Sequence, residues 1–596
     1  VPDKVLDLEN IVSKDSLANS ISVKYLEWNH FRVQWMQEKQ EIRNYIFATD
    51  TSTTTNSDLP WKNKTTVPKL CQIRDNLHAN YMAALFPNSN WLNWEGANDE
   101  AETKEKRHTI EQYMLSKTRQ SNFRDTISRL VFDYIDYGNC FAVVDYIEEV
   151  IKDPNTDEET AGYVGPKLRR LSPFDVVFDP TAVEFENTPK IVRSVVSVGD
   201  LHKIVSNQPD KGYLNEAITE FIGERQQIVT ALAAGDNLKD EAFRADGFSN
   251  MRQYYTGNYV EVLDFYGDIY DIETGKFYEN YHITVVDQYK VIKMEENPSW
   301  IGKHPIVHTG WRHRPDNLYS MGPLDNLVGM QYRIDHLENL KADVFDLVAY
   351  PLLKIRGDVQ DFVWAPGERA YLGDEGDVEL VSPDVQALNA NFEIQVLEQR
   401  MEELAGAPKN AMGIRTPGEK TAFEVQTLDN ASSRIFQNKT SHFEEQFEEK
   451  VLNIMFEVGR RNLDGSDIVR VYDDEAKVVE FLNITKEDLS ADGRFRPVGA
   501  RHFAEQAQMV QNINNFYNSA IAADPAVKVH WSGKKMSKVM EELLNLESYG
   551  VVEDNVRVFE EQETQRLAQS ANEQLGVEQL TPAGITEDDV DEQEIL

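Results

Sequence analysis

Residues 324–405 constrain the fold more than any other part of the chain. In PLDNLVGMQYRIDHLENLKADVFDLVAY, apolar residues at Leu324, Leu327, Ile334, Leu337, Leu340, Val344 and Leu347 recur at helical spacing. At 1.5 Å per residue, a stripe of about 25 residues makes a rod of roughly 37 Å. Pro351 ends it, and the Gly- and Pro-rich stretch 351–382 reads as short strands and turns. Ser382-Pro383 then supplies an N-cap and a proline for the first helical turn. The second helix carries Val385, Leu388, Phe392, Val396, Leu397, Met401 and Leu404 on one stripe. Whatever the chain folds into must hold a rod, a small β-rich knob and a second rod in that order.

The remainder reads as α+β and predominantly helical. At 596 residues the chain is too long for one core and suggests three or four domain-sized units. Residues 1–138 look helical, with a face of Val23, Leu26, Phe31, Trp35 and Ile46, and a second of Leu70, Ile73, Leu77, Tyr81 and Leu85. The polar run TSTTTNSDLPWKNK between them reads as a linker, and NSNWLNWEG as a turn. Gly138 fits a position just past a helix end. The period then changes to that of strands over 139–200, with an exposed hairpin tip at IKDPNTDEETAGY, returns to helix over 200–250, and gives strands again to 310. Glu273-Thr274-Gly275-Lys276 is expected to turn a hairpin. A long helix over 420–459 follows a loop at 406–419, short strands cover 465–500, and the acidic C-terminal part is mostly helical before a polar tail expected to be disordered.

The chemistry of the chain excludes more than it offers. Its net charge is −40, from 101 acidic and 61 basic residues, which argues against gripping nucleic acid through its phosphates. Cys71 and Cys140 both lie in apolar runs and are expected to be buried thiols. The acidic start, VPDKVLDLEN, has no apolar core of a signal peptide, and no run of 18 apolar residues is present. GIRTPGEKT, Gly413 to Thr421, approaches a nucleotide-binding loop but fails its requirements. Glu419 stands where phosphate charge would lie, Pro417 has no amide to donate, and the preceding element is an amphipathic helix instead of a strand. Thr416, Pro417 and Glu419 are better explained as a helix cap. HPIVHTGWRHRP gathers His304, His308, Arg312, His313 and Arg314. Its arginines disfavour a bound cation, so it is expected to be a strand entering a turn, with an anion contact as the alternative. Asp153, Asn155 and Asp157 open like a calcium loop, but Glu158 and Val164 break the pattern. No catalytic, metal or cofactor motif is found, and the chain is expected not to be an enzyme.

Several segments, in order, carry a resemblance. AALFPNSNWLNW, YGNCFAVVDY followed by LRRLSPFDVVFDP, YSMGPLDNLVGMQYRIDHLENL, and TPGEKTAFEVQTL resemble portal (head-to-tail connector) proteins of short-tailed DNA bacteriophages over roughly residues 60 to 520. The resemblance implies a ring, usually dodecameric, at one capsid vertex. It places a wing at 1–323, stem helices at 324–350 and 383–405, and a clip at 351–382. A tunnel loop then lies at 406–419, a long helix and return to the wing at 420–500, and a crown at 501–596. The implied role is a channel through which double-stranded DNA is packaged and ejected. The implied partners are copies of itself, the major capsid protein, the terminase large subunit, a head–tail adaptor and a scaffolding protein. The implied location is the virion, after assembly in the host cytoplasm. Under this reading Lys409, Arg415 and Lys420 line the channel and touch phosphates transiently. Leu327, Ile334, Leu337, Val344, Leu388 and Phe392 pack the stems, and Trp364, Arg369 and Tyr371 belong to the clip. A non-channel structural or adaptor protein of the virion is the alternative.

Overall fold

Five helices dominate the first 136 residues: α1 (Ser16–Phe31), α2 (Val33–Ile46), α3 (Lys69–Leu85), α4 (Lys104–Gln120) and α5 (Phe123–Asp136). The computed structural model describes residues 15–48, 62–87, 91–97, 104–152, 159–207, 213–214, 217–221, 259–350, 352–357, 371–381, 389–405, 435–463, 465–473, 478–490, 492–497 and 533–543, with a few isolated positions between them. Of the described residues about 48% are helical and 30% are in strands, in several small antiparallel sheets, so the class is mixed α+β. The chain divides into two compact units, 1–471 with 481–502, and 472–480 with 503–596. The main described element of the second unit is the helix Gly533–Leu543.

Two sheets follow α5 in the first unit. One is ordered β3-β2-β9, from β2 (Asn139–Lys152), β3 (Glu159–Leu171) and β9 (Ile306–Gly310). The other is a five-stranded meander of β4 (Val176–Phe178), β5 (Lys190–Ser197), β6 (Tyr259–Asp271), β7 (Lys276–Val286) and β8 (Lys290–Glu296). The expected 273–276 turn closes β6 onto β7, with Gly275 at φ 68°. Helix α6 (Val198–Asn207) leaves β5, and the hairpin β10 (Arg312–Arg314) and β11 (Asn317–Met321) leads toward α7 (Val328–Ala349). Gly138, at φ 70°, ends α5 as expected. A Cβ there would lie 2.3 Å from the Gly322 nitrogen, so only glycine lets these two backbone segments touch. The hairpin of β12 (Leu352–Arg356) and β13 (Asp377–Val381), helix α8 (Asn391–Ala405) and α9, continuous over 435–462, come next. β14 (Ser466–Asp473), β15 (Val478–Thr485) and β16 (Gly493–Pro497) complete the described strands.

The largest core joins α3, α4, α5, α7, α8 and α9 against one face of the three-stranded sheet. The apolar face read on α3 is confirmed: Leu70, Ile73, Leu77, Tyr81 and Leu85 are all buried. Three sequence expectations need correction. On α1 the buried side chains are Leu17, Ala18, Ile21, Tyr25 and Trp28, which pack on the five-stranded sheet; of the expected face Val23, Leu26 and Phe31 are exposed, while Trp35 and Ile46 on α2 are buried. The loose spacing of the aromatic residues fitted two faces, and the sheet selects the one with Tyr25 and Trp28. Leu92–Gly96 is not a turn but a strand, β1, paired with β16 from 400 positions away. That pairing buries Trp94 between Phe456 and Phe495. Cys140 is buried, but Cys71 is only half-buried beside Asp75.

Candidate assembly interface

Helix α7 carries two stripes. The apolar one puts Ile334, Leu337 and Val344 in the interior, with Leu327 just before the helix. The other is polar: Gln331, Asp335, Asn339 and Asp343, spaced four residues apart. These four side chains clamp the backbone of residues 62–70, which runs antiparallel to the helix. Asp343 accepts from Lys62 N and Asn63 N, both at 3.1 Å. Asn339 accepts from Thr65 N at 2.8 Å and donates to Thr65 O at 2.7 Å. Asp335 accepts from Val67 N at 2.9 Å, and Gln331 donates to Val67 O at 2.6 Å and accepts from Leu70 N at 3.2 Å. The match is one of period. Two residues of extended chain rise about 6.6 Å and four residues of helix about 6.0 Å, so every second residue of the strap meets every fourth of the helix. The last three residues of the expected linker, 62–64, therefore belong to a structural strap, and most of residues 51–61 lie outside the described residues. The four-residue polar repeat was the signal for it in the sequence.

Asp335 is fully buried, and its second oxygen, Oδ2, has no hydrogen-bond partner. Burial pushes its carboxyl up to about 6 against the two N–H groups that favour the charged form. The folded state therefore binds this proton more tightly than the unfolded chain does. The Asp335 contribution to stability grows as pH falls from about 6 toward 4, by at most about 3 kcal/mol. Asp335→Asn is expected to abolish that component. The stability difference between variant and wild type, from thermal melts at pH 7 and pH 4.5, should favour the variant at pH 7 and shrink or reverse at pH 4.5; a difference constant across that range contradicts it.

Beyond Val344 the helix changes character. Every residue from Phe345 to Tyr350 is exposed, including Phe345, Leu347, Val348 and Tyr350. The hairpin that follows pairs Leu353 with Leu380 and Ile355 with Val378. Alternation puts these four on one apolar face, while Lys354 and Glu379 form a 2.7 Å ion pair on the other. The apolar face is only partly covered: Leu353 and Val378 are half-buried, and Ile355 is 52% and Leu380 50% exposed. A two-stranded sheet in water is marginal without cover. On α8 the buried residues are Ile394, Met401 and Ala405. Its Glu402 forms a buried 2.6 Å ion pair with Lys69 at the start of α3.

The residues singled out from the sequence separate into three groups. Leu327, Ile334, Leu337 and Val344 lie in the interior of this chain, where they cannot also face a neighbouring copy. Their expected role in packing between stems is corrected to intramolecular packing. Phe392 is 75% exposed and Tyr371 63% exposed, so both are free for a partner. Leu388, Trp364, Arg369, Lys409, Arg415 and Lys420 lie outside the described residues, as do the Ser382-Pro383 cap, the GIRTPGEKT stretch and the hairpin tip at 153–158.

The histidine cluster forms a strand and hairpin, as its alternation predicted, beside a cleft of about 600 Å³ between β9, β10 and α9. His308 stacks on Phe141 and contacts Asn139 Oδ1 at 3.1 Å. Burial holds it down to about 3, and His304 likewise, so both are neutral. The fold adds a residue that the motif lacks: His442 of α9, whose Nε2 lies 2.9 Å from His313 Nε2. Two residues further along, α9 opens into a π-helical turn, Glu444–Glu448. There the Glu448 carboxyl is completely buried, with both oxygens unpartnered, and burial together with Glu444 pushes it well above the usual carboxylate range. Among the described residues no group of three or more His, Cys, Asp and Glu is placed to hold a metal ion. No described helix is long and apolar enough to cross a membrane. No protein-family model matches the sequence, and no curated protein is significantly similar to it.

Proposed function

We propose that this chain is the subunit of a viral portal, a ring at one capsid vertex through which double-stranded DNA is packaged and later ejected. The observation that carries the reading is the partly covered apolar face of the β12–β13 hairpin, at the end of a helix whose root is strapped to the body. A side chain of this size contributes about 1.5–3 kcal/mol when fully buried, and the single chain forgoes about half of that at Ile355 and Leu380. Copies of the same chain placed side by side would recover it around a closed ring, which leaves no unpaired end. The rod, knob and rod order of the sequence supports the same assignment of α7 and α8 to stems and of the hairpin to the clip.

The charge fits a conduit. A wall that conducts DNA must not hold each phosphate tightly, and a chain carrying −40 repels the duplex at distances that salt does not screen. Transient contact would fall to Lys409, Arg415 and Lys420 in the tunnel loop. The clip would meet the terminase large subunit during packaging and a head–tail adaptor afterwards. The wing would sit against the major capsid protein, with a scaffolding protein present during assembly in the host cytoplasm. The role requires no catalysis and no cofactor.

Replacing Lys409, Arg415 and Lys420 together with glutamine is expected to change DNA packaging or retention and to leave ring assembly intact. Packaged DNA per particle and the mass of the purified ring are the two readouts. Loss of assembly with normal DNA handling would remove the tunnel assignment.

A further inference from the structure

We propose that His313 and His442 form a binding site for a divalent transition-metal ion of the zinc, copper or nickel class, which clasps the β10–β11 hairpin to α9. The two Nε2 atoms face each other at 2.9 Å, from residues 129 positions apart. Without a metal they share one proton as a hydrogen bond. A tetrahedral ion with bonds of about 2.0–2.1 Å separates two imidazole nitrogens by roughly 3.3 Å. The rings thus need to part by about 0.4 Å, and His313 is exposed and free to do so.

The His313 ring is held as metal-ligating histidines commonly are, through the other side of the imidazole. Ser320 Oγ lies 3.4 Å from His313 Nδ1. The His442 ring also makes a hydrogen bond to the Gly310 backbone. Thr309 Oγ1 lies 3.4 Å from His442 Nε2 and stands beside the site. Imidazole nitrogen suits zinc, copper and nickel better than magnesium or calcium, which take oxygen.

Electrostatics decides whether a cation is tolerated. The sequence placed Arg312 and Arg314 beside His313, which counted against it. In the fold Lys439 donates to the Trp311 carbonyl, and Lys450 is paired with Glu186 at 2.7 Å. The adjoining cleft carries Glu184, Glu186, Glu445 and Glu449 against Lys190, Lys303 and Lys450. The amine of Lys190 is itself held down to about 7 by burial. Within the cleft the carboxylates outnumber the amines by one, while Lys439, Arg312 and Arg314 flank the pair outside it, and two protein donors leave the remaining positions of the ion to water.

The test is titration of the untagged, metal-free chain with ZnCl2 by calorimetry at pH 7.5, and with CuCl2 by electron paramagnetic resonance. The expected result is one ion per chain, a copper spectrum split by two nitrogens, and at least a tenfold loss of affinity in His313→Ala and in His442→Ala. His308→Ala, which alters the same cleft but not the pair, should bind as wild type. His313 is exposed, so its variant folds whether or not the site exists. The absence of a one-to-one event in the wild type overturns the proposal, as does binding that survives His313→Ala.

Discussion

The double substitution Ile355→Lys with Leu380→Lys is expected to leave the chain folded and to abolish its assembly. Both side chains are about half exposed in the single chain, and surface changes of this kind usually alter stability by no more than about 0.5 kcal/mol. In a ring the same positions would be covered by a neighbour. Each contact would then lose roughly 1–1.5 kcal/mol of apolar burial per residue, about half the value for full burial, and would also have to desolvate a charge. Summed around a closed ring, that converts a stable particle into monomers. Sedimentation velocity reads the outcome directly, and circular dichroism checks that the fold is kept. Rings of normal mass from the double variant would show that the hairpin face is not an assembly contact.

The second large effect is expected from Asn339→Leu. Asn339 is fully buried and makes three hydrogen bonds, two to Thr65 and one to the Asp335 carbonyl at 2.8 Å. Leucine removes all three and leaves the Thr65 N–H and C=O without a partner at the centre of the strap. Thr65 is exposed, so the loss is that of the three hydrogen bonds at about 0.5–1.5 kcal/mol each, and the strap should loosen by about 3 kcal/mol, equivalent to roughly a hundredfold faster amide exchange. The check is hydrogen exchange at Thr65 and Val67, with limited proteolysis between residues 62 and 68. Asp346→Ala, which breaks only an exposed 3.0 Å bond from Asn63, should leave both close to wild type. Unchanged exchange in Asn339→Leu would mean that the strap is held by something other than the polar stripe.

The contrast between these two regions shows what was legible in the sequence. The apolar stripe of α7 was visible because a helix repeats every 3.6 residues, and the structure places Ile334, Leu337 and Val344 inside as that period requires. The same period could not say what covers the stripe. It proved to be the chain's own core, and the apolar residues left exposed are Phe345, Leu347, Val348 and part of the hairpin face. The strap was hidden because its partners are some 270 positions away; its polar start, 62–64, reads as the end of a linker and the rest as the approach to α3. β1 was missed for a similar reason: five residues pair with a strand near position 495, and local propensity carries no trace of that. His442 lies outside the histidine-rich motif, so its approach to His313 exists only once α9 has folded against the sheet. By contrast, the reading of GIRTPGEKT as no phosphate loop rests on local chemistry alone, a missing amide and a misplaced carboxylate, and the stretch lies outside the described residues.

The central claim is that a helix strapped at its root presents the small hairpin to copies of itself around a DNA-wide pore. The most direct measurement is the mass of the purified particle by native mass spectrometry, with class averages of the same sample. A single closed oligomer with an axial hole is the expected result. A monomer of 68.3 kDa with no hole under every assembly condition would contradict it.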